Sequence, residues 1–229
     1  MRITPFGDAA LLVQVEHTID VIVNMQVLAA GESVRQAGVP GVRDVVPAYG
    51  SFAVHFDPVR TDVRLLRQVV ERAARAASPH PEQVHTTPLE IPVCYGGRFG
   101  PDLAAVAAWA RMDPHHVIAV HASPEYRVFM LGFLPGFPYM GSVDERIAMP
   151  RRDTPRARVA AGSVGIAGRQ TGVYSFDSPG GWQIIGRTPL LLFDPRHEPP
   201  ALLAPGQRVR FRSVSSPEFD AMRHAGGRR

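Results

Sequence analysis

The sequence predicts an α+β protein, with a small N-terminal α/β domain over residues 1–84 and a second domain over residues 85–229 that is either β-rich or a β-barrel. Before residue 78, short strand-like segments alternate with two segments of helical spacing. From Tyr126 onward, short apolar runs are separated by clusters of glycine and proline, which is typical of a β-rich domain or a barrel with functional loops. The Ser-Pro-His-Pro run at 78–81 predicts a linker, because proline cannot continue a helix.

The pattern of the first domain predicts the order β–α–β–β–α. Strands are expected at residues 11–15, 42–46 and 51–56, and helices at 19–36 and 62–77. The apolar residues of the second helix fall on one face, as its spacing requires: Val63, Leu66, Val69, Val70 and Ala73.

The second domain begins with a predicted strand at 89–93 and a short helix at 101–111, with Asp102 in the first turn of that helix. Residues 115–120 fit either a helix or the start of a strand. We expect His121, which follows the apolar run 117–120, to lie at a strand end, where a lone histidine is more often structural than catalytic.

Composition narrows the class of protein. Among 229 residues, 45% are hydrophobic and 20% are charged, which allows a buried core and argues against wholesale disorder. The net charge of +4 comes from a chain without lysine, whose 25 cations are all arginine and are spread along the sequence. This distribution indicates the codon usage of a GC-rich genome and argues against a nucleic-acid interface.

Cellular location follows from cysteine usage and from the apolar runs. Cys94 is the only cysteine, so an internal disulfide is excluded and a reducing compartment is expected. No signal peptide and no run of 18 apolar residues is found. We therefore expect a cytoplasmic protein.

General catalytic motifs are missing from the sequence. It contains no G-x-S-x-G elbow, no phosphate-binding loop and no H-E-x-x-H. Although His115, His116 and His121 are close in sequence, a zinc site would need a further ligand or an open coordination position, and we expect no metal.

Three segments carry candidate chemistry. Residues 132–141 interleave aromatic residues with glycine and proline, which suits either the wall of a pocket or a packed loop that anchors the barrel. Residues 150–158 hold four arginines and two prolines, which favours an anion site over a solvated charge run.

The third segment, residues 161–174, is rich in glycine. Glycine lets a ligand approach the backbone, whose N–H groups could then hold an oxyanion. Side-chain donors accompany it at Ser163, Gln170, Thr171 and Tyr174. A tight β-hairpin with glycines at its turns is the alternative.

Together, these segments resemble the KipI-type family, also described as allophanate hydrolase subunit 1 or as the B subunit of 5-oxoprolinase. The resemblance extends over nearly the whole chain. Its most specific stretches are Tyr95-Gly96-Gly97, Gly100-Pro101-Asp102-Leu103, Gly132-Phe133, Pro135-Gly136-Phe137, Pro150-Arg151, Pro155-Arg156, Gly162-Ser163-Val164, Gln170-Thr171-Gly172 and Ser178-Pro179-Gly180-Gly181-Trp182. The chain departs from the family pattern at Ala160-Ala161, at Ser175 and at Met140-Gly141-Ser142, which leaves the fine substrate specificity open.

The resemblance implies a fold and a multi-subunit enzyme. It implies a cyclophilin-like barrel after the N-terminal domain, a homologous C subunit, a further A subunit, and ATP-dependent opening of 5-oxo-L-proline to L-glutamate. Which of the subunits binds ATP stays open, and the isolated chain is expected to be inactive. Two alternatives are a KipI-type inhibitor of a histidine kinase and a component of a biotin-dependent urea or allophanate carboxyltransferase system.

The chemistry of that reaction assigns roles to the candidate residues. Catalytic roles are expected for His121, Arg156 and Gln170, with His121 moving a proton if it lies in the cleft. The reaction also requires groups that hold a carboxylate and phosphates and that stabilise charge developing on oxygen. Residues expected to bind substrate or phosphate are Arg151, Arg158, Gly162, Ser163, Thr171 and Tyr174.

Overall fold

The computed structural model describes residues 1–77 and 87–226, and the chain divides into two units, Met1–His85 and Thr86–Arg229. Each of the sheets in the described residues lies within one unit. The predicted linker at 78–81 lies outside the described residues.

The N-terminal unit is an antiparallel sheet with two helices. Its elements are β1 (Arg2–Pro5), β2 (Ala10–Gln14), α1 (Val21–Gln36), β3 (Val42–Pro47), β4 (Ser51–Phe56) and α2 (Val63–Ala76). The strands pair in the order β1-β2-β4-β3. Both helices begin after an aspartate, because the carboxylates of Asp20 and Asp62 each accept two N–H groups of the first turn.

The core of this unit follows from the two periodicities of its elements. Alternate strand residues such as Phe52 and Val54 are fully buried, as period-two pleating requires. They pack with helix residues such as Val27 and Leu66 in one cluster. Burying such side chains supplies the main stabilisation of a unit this small.

The second unit is built around a barrel. Its elements are β5 (Leu89–Tyr95), α3 (Leu103–Ala110), α4 (Pro114–Ala122), β6 (Glu125–Leu131), β7 (Pro138–Gly141), β8 (Arg156–Val159), β9 (Ser163–Ala167), β10 (Gln170–Val173), β11 (Ser178–Gly180), β12 (Gln183–Arg187), β13 (Arg208–Ser213) and α5 (Ser216–Gly226). A 3-10 helix, Glu145–Ile147, follows β7.

Seven strands close the barrel in the order β10-β7-β6-β13-β5-β12-β9, and β9 pairs with β10 to complete it. All of these pairs are antiparallel except β5 with β13. Strands β8 and β11 form a separate two-stranded sheet. This architecture confirms the predicted α+β class with a C-terminal β-barrel.

Two elements differ from the sequence prediction. Strand β1 was not predicted; it is a short edge strand that ends at Pro5, a position that proline tolerates. The residues around His121 form a helix, so its expected place at a strand end is wrong. Helix α4 begins because Asp113 caps the N–H of His116 and Pro114 occupies the first turn.

The longest described helix, α1, has 16 residues, and no helix in the described part of the chain is long and apolar enough to cross a membrane.

Candidate functional site

The buried carboxylate of Asp102 joins three parts of the barrel unit. Asp102 stands at the residue before α3 and is 4% exposed. Its Oδ2 accepts the N–H of Ile184 at 2.6 Å, and its own N–H donates to the carbonyl of Ile184 at 2.9 Å. Its Oδ1 accepts Arg156 at 2.6 Å and Arg152 at 3.3 Å. A buried carboxylate requires such compensation, and here it fixes α3, β12 and two arginines to one another.

The arginine-rich segment is hydrogen-bonded to Gln183, the first residue of β12, and to Gly181 just before it. We call residues 149–155 the arginine loop. The carbonyl of Pro150 accepts the side-chain amide of Gln183 at 2.9 Å, and the N–H of Arg152 donates to the carbonyl of Gly181 at 2.8 Å. The backbone on both sides of Arg151 is therefore fixed.

The four arginines of this region differ in their partners. Arg152 and Arg156 share Asp102, while Arg158 pairs with Asp177 at 2.9 Å through Nε. Arg151 is exposed and has no carboxylate partner among the residues that the structure describes. Its guanidinium carbon lies 5.8 Å from the ring centroid of Trp182, within cation–π range.

Arg156 is less open to a ligand than Arg151. Its side chain is 25% exposed, its Nη2 is bonded to Asp102, and its Nη1 is buried from solvent without a hydrogen-bond partner in the described residues. This is the geometry of a structural ion pair. The catalytic role expected of Arg156 stays a prediction.

Aromatic rings form a cluster beside the arginine loop. Phe137 is 1% exposed and contacts Tyr139, Tyr174 and Trp182 with ring centroids 4.9, 5.2 and 5.5 Å apart. Phe133, by contrast, is 59% exposed and packs edge-on against Phe137 at 5.6 Å. The 132–141 segment thus anchors itself through Phe137 and presents one open aromatic ring.

Burial and the nearby arginines have opposite effects on the pKa values of the tyrosines in this cluster. Burial raises the pKa of Tyr139, and nearby Arg151 partly opposes that effect. Burial also raises the pKa of Tyr174, which is opposed by a hydrogen bond to the backbone of Trp182 and by Arg151 and Arg156. Tyr174, expected to bind substrate, is 1% exposed in this packing.

The glycine-rich segment forms the β9–β10 hairpin, and its first N–H groups are already bonded. Gly162 donates to the carbonyl of Tyr174 at 2.7 Å, and Ser163 donates to the carbonyl of Ala160 at 3.1 Å. Gly162 has a φ of +81°, and a Cβ there would stand 2.5 Å from the carbonyl oxygen of Thr188. The conformation and space therefore require glycine at 162 for structural reasons.

Gln170 begins β10, the second strand of this hairpin. It lies opposite Ala167 in β9 and opposite Gly141 in β7, and its side chain is half-buried. The structure thus places Gln170 at the turn of the hairpin, and its expected catalytic role stays a prediction.

His121 lies in the interior of the barrel unit with no exposed surface. The hydroxyl of Thr171 donates to the carbonyl of Gly165 at 3.0 Å, so it accepts from His121 Nε2 at 3.0 Å. The Nδ1 atom then accepts the hydroxyl of Tyr95 at 2.9 Å. The ring also stacks on Phe211 at 4.7 Å.

Burial lowers the pKa of His121 to about 3, so the ring is neutral at ordinary pH. Both of its nitrogens are engaged, and proton transfer to a substrate would require one of these hydrogen bonds to open. The catalytic role expected of His121 stays a prediction, as does the binding role of Thr171.

The structure brings some of the predicted site residues together and separates others. Arg151, Arg156 and Tyr174 share one neighbourhood, while His121 and Thr171 meet in the interior. Arg158 belongs to neither group and forms an ion pair with Asp177. In the described residues, no three His, Cys, Asp or Glu side chains group together as metal ligands would.

Sequence reasoning missed Asp102 and Gln183 as members of the site. For Asp102 the sequence offered a signal, because it stands directly after Gly100-Pro101 and before an apolar helix. For Gln183 it offered none, since the partner of its amide is the carbonyl of Pro150, 33 residues away.

Comparison with known proteins identifies the family. Residues 1–203 match the carboxyltransferase domain, subdomain C and D. The chain belongs to this family. Within the family it is 42% identical to the B subunit of 5-oxoprolinase from Bacillus subtilis over 96% of this chain and 95% of that protein. It is also 41% identical to the B subunit of 5-oxoprolinase from Escherichia coli, covering 90% and 92%.

Solved structures agree with the family fold. The crystal structure of TTHA0988 superposes with a TM-score of 0.80 at 37% identity, covering 91% of this chain and 41% of that longer one. The Kluyveromyces lactis urea amidolyase superposes with a TM-score of 0.77 at 20% identity, covering 98% of this chain and 15% of that one. The second likeness is one of fold alone.

Replacing Asp102 by Asn should destabilise the barrel unit through its arginine pairs. The Asp102→Asn substitution keeps the shape but leaves two guanidinium groups without their carboxylate. We expect the free energy of unfolding to fall by about 2–3 kcal/mol. This is at or below the low end of the cost of breaking a buried ion pair, because the Arg156 side chain is a quarter exposed. Urea denaturation measures it. The control, Asp177→Asn, breaks an exposed pair and should cost much less; equal losses would contradict the account.

The stability of the protein should depend on His121 between pH 6.5 and about 3. In that window the unfolded chain binds a proton that the folded chain excludes, so stability falls as pH falls. From pH 7 to pH 5, the wild type should lose about 2 kcal/mol more than a His121→Gln variant. His115→Gln, at an exposed position, serves as the control and should keep the wild-type slope. Parallel curves for the wild type and His121→Gln would show that the ring is not buried neutral.

Proposed function

We propose that this chain is the B subunit of an ATP-dependent 5-oxoprolinase, which acts with the A and C subunits to hydrolyse 5-oxo-L-proline to L-glutamate. The observation that carries the proposal is the 42% identity to the B subunit of a 5-oxoprolinase over 96% of the chain. A cytoplasmic location and a hetero-oligomeric state belong to the same proposal.

The arrangement around Arg151 is consistent with such a substrate. 5-Oxoproline is a flat lactam ring that carries one carboxylate. A guanidinium without an internal carboxylate partner is suited to that group, because two parallel N–H donors match its two oxygens. Close by, the cluster that includes Tyr174 presents the open ring of Phe133, 6.3 Å from Tyr174 by ring centroids. An apolar wall next to a single cation is the common composition of a small-molecule site.

The preorganisation of Arg151 supports its assignment to the substrate carboxylate. The backbone on either side of it is hydrogen-bonded, to Gln183 in β12 and to Gly181 just before that strand. Holding a charged group in place before the substrate arrives reduces the entropy lost on binding. Arg152 and Arg156, which pair with Asp102, are assigned to holding the site together, whereas Arg158 pairs with Asp177 instead.

ATP is assigned to the assembled complex. The two segments expected to bind phosphate offer little for it: Gly162, Ser163 and Gly168 donate their N–H groups within the fold, and three of the four arginines from 151 to 158 are paired. We therefore derive no step through ATP on this chain, and we propose that it is largely inactive alone. No observation favours the kinase-inhibitor or biotin-dependent alternatives over this function.

Replacing Arg151 should weaken substrate binding in the complex of all three subunits. Charge-assisted hydrogen bonds are worth about 1.5–3 kcal/mol, so Arg151→Met should raise KM for 5-oxoproline by about ten- to a hundredfold. The measurement is steady-state turnover of 5-oxoproline by the reconstituted complex.

Arg158→Met is the matched control, because it removes an arginine that is already paired with Asp177. We expect its KM to stay within about twofold of the wild type. A normal KM in Arg151→Met would remove Arg151 from the substrate site, and a wild-type complex without 5-oxoproline turnover would overturn the proposed function.

A further inference from the structure

Strand β12 carries one buried amide at a position where its neighbours are apolar. Gln183 is 4% exposed, and the next two residues, Ile184 and Ile185, are 3% and 0% exposed. Burying an amide side chain is unfavourable unless it is hydrogen-bonded. The amide nitrogen of Gln183 donates to the carbonyl of Pro150 at 2.9 Å.

This hydrogen bond lies immediately beside Arg151. Pro150 precedes Arg151, and Arg152, which follows it, donates its N–H to the carbonyl of Gly181. The residue between these two anchoring positions, 181 and 183, is Trp182, over whose ring the Arg151 guanidinium lies. Three consecutive residues, of which Gln183 is the first of β12 and the other two directly precede it, thus contact three consecutive residues of the arginine loop.

Of these three contacts, only the hydrogen bond from Gln183 can be removed by a side-chain substitution that leaves the Trp182 ring in place. The Gly181 anchor is a backbone carbonyl, and the Trp182 anchor is the ring itself. Proline at 150 has a fixed φ and no N–H, so its carbonyl is the one backbone group through which that residue can be held. Gln183 supplies the donor.

We propose that Gln183 is a positioning residue for Arg151, which holds the Pro150 carbonyl so that the guanidinium is presented above Trp182 to the carboxylate of the substrate. The inference rests on the proposed function, in which Arg151 binds that carboxylate. Gln183 does not touch the substrate itself; it acts by restricting the backbone from which Arg151 extends.

The kinetic test is a double-mutant cycle in the reconstituted three-subunit complex. Gln183→Met keeps the length of the side chain and removes the donor. We expect KM for 5-oxoproline to rise about three- to tenfold, with kcat within about twofold of the wild type. In an Arg151→Met background, Gln183→Met should cause no further rise, because its effect passes through Arg151.

Gln207→Met is the matched control. Gln207 also makes a side-chain hydrogen bond to the backbone, accepting the N–H of Ala204 at 3.1 Å, but outside the arginine loop. Its KM should equal that of the wild type. The proposal is overturned if Gln183→Met leaves KM unchanged, or if it raises KM by the same factor with and without Arg151.

A second measurement separates this inference from the proposed function. Hydrogen exchange, followed by mass spectrometry on the full-length chain, reports local opening of the arginine loop without any substrate. Peptides that cover residues 149–158 should exchange faster in Gln183→Met and at the wild-type rate in Gln207→Met. If the wild-type complex does not turn over 5-oxoproline while this difference is seen, the proposed function fails and the positioning of Arg151 stands; equal exchange in both variants overturns the positioning.

Gln183→Glu serves as the second variant if Gln183→Met does not fold. A buried glutamic acid has a raised pKa and can donate to the Pro150 carbonyl only while it is protonated. Exchange in residues 149–158 should therefore become faster as pH rises through that titration. Exchange that follows only the intrinsic pH dependence of the wild type would overturn the proposal.

Discussion

The carboxylate of Asp102 is removed from water, and much of the candidate site depends on how that charge is compensated. Its two oxygens accept the N–H of Ile184 and the guanidinium groups of Arg152 and Arg156. A buried charge that lost these donors would carry a large desolvation cost. The start of α3, the first part of β12 and the strand that begins at Arg156 therefore cannot move independently.

This constraint explains why four arginines close together in sequence have different roles in the structure. Two of them neutralise Asp102, one pairs with Asp177, and Arg151 is left exposed above Trp182. Because the chain contains no lysine, residue type alone cannot separate cations that bind ligands from cations that hold the fold. The positions of the carboxylates make that separation, and Asp102 lies 54 residues from Arg156 along the chain.

Local chemistry made much of the fold predictable. Asp20 and Asp62 mark helix starts, and alternating apolar residues mark β4. Asp113 and Pro114 start helix α4, but the apolar run before His121 fits a helix or a strand, so the expectation of a strand end for His121 was wrong. Contacts between distant segments, such as Gln183 with Pro150, leave no local pattern, since each residue alone is compatible with many environments. The glycine-rich segment is a second case. Its N–H groups donate to carbonyls of the hairpin and of neighbouring segments, and no local sequence pattern reveals those partners.

The proposed function requires that Arg151, and none of its three neighbouring arginines, binds the substrate carboxylate. The most direct test is an NMR titration of the three-subunit complex, in which this chain alone is isotopically labelled. The arginine Nε–H resonances are recorded while 5-oxoproline is added. The account predicts that the Arg151 signal shifts with saturation while those of Arg152, Arg156 and Arg158 stay in place. A saturable shift of Arg156 with a stationary Arg151 would contradict it.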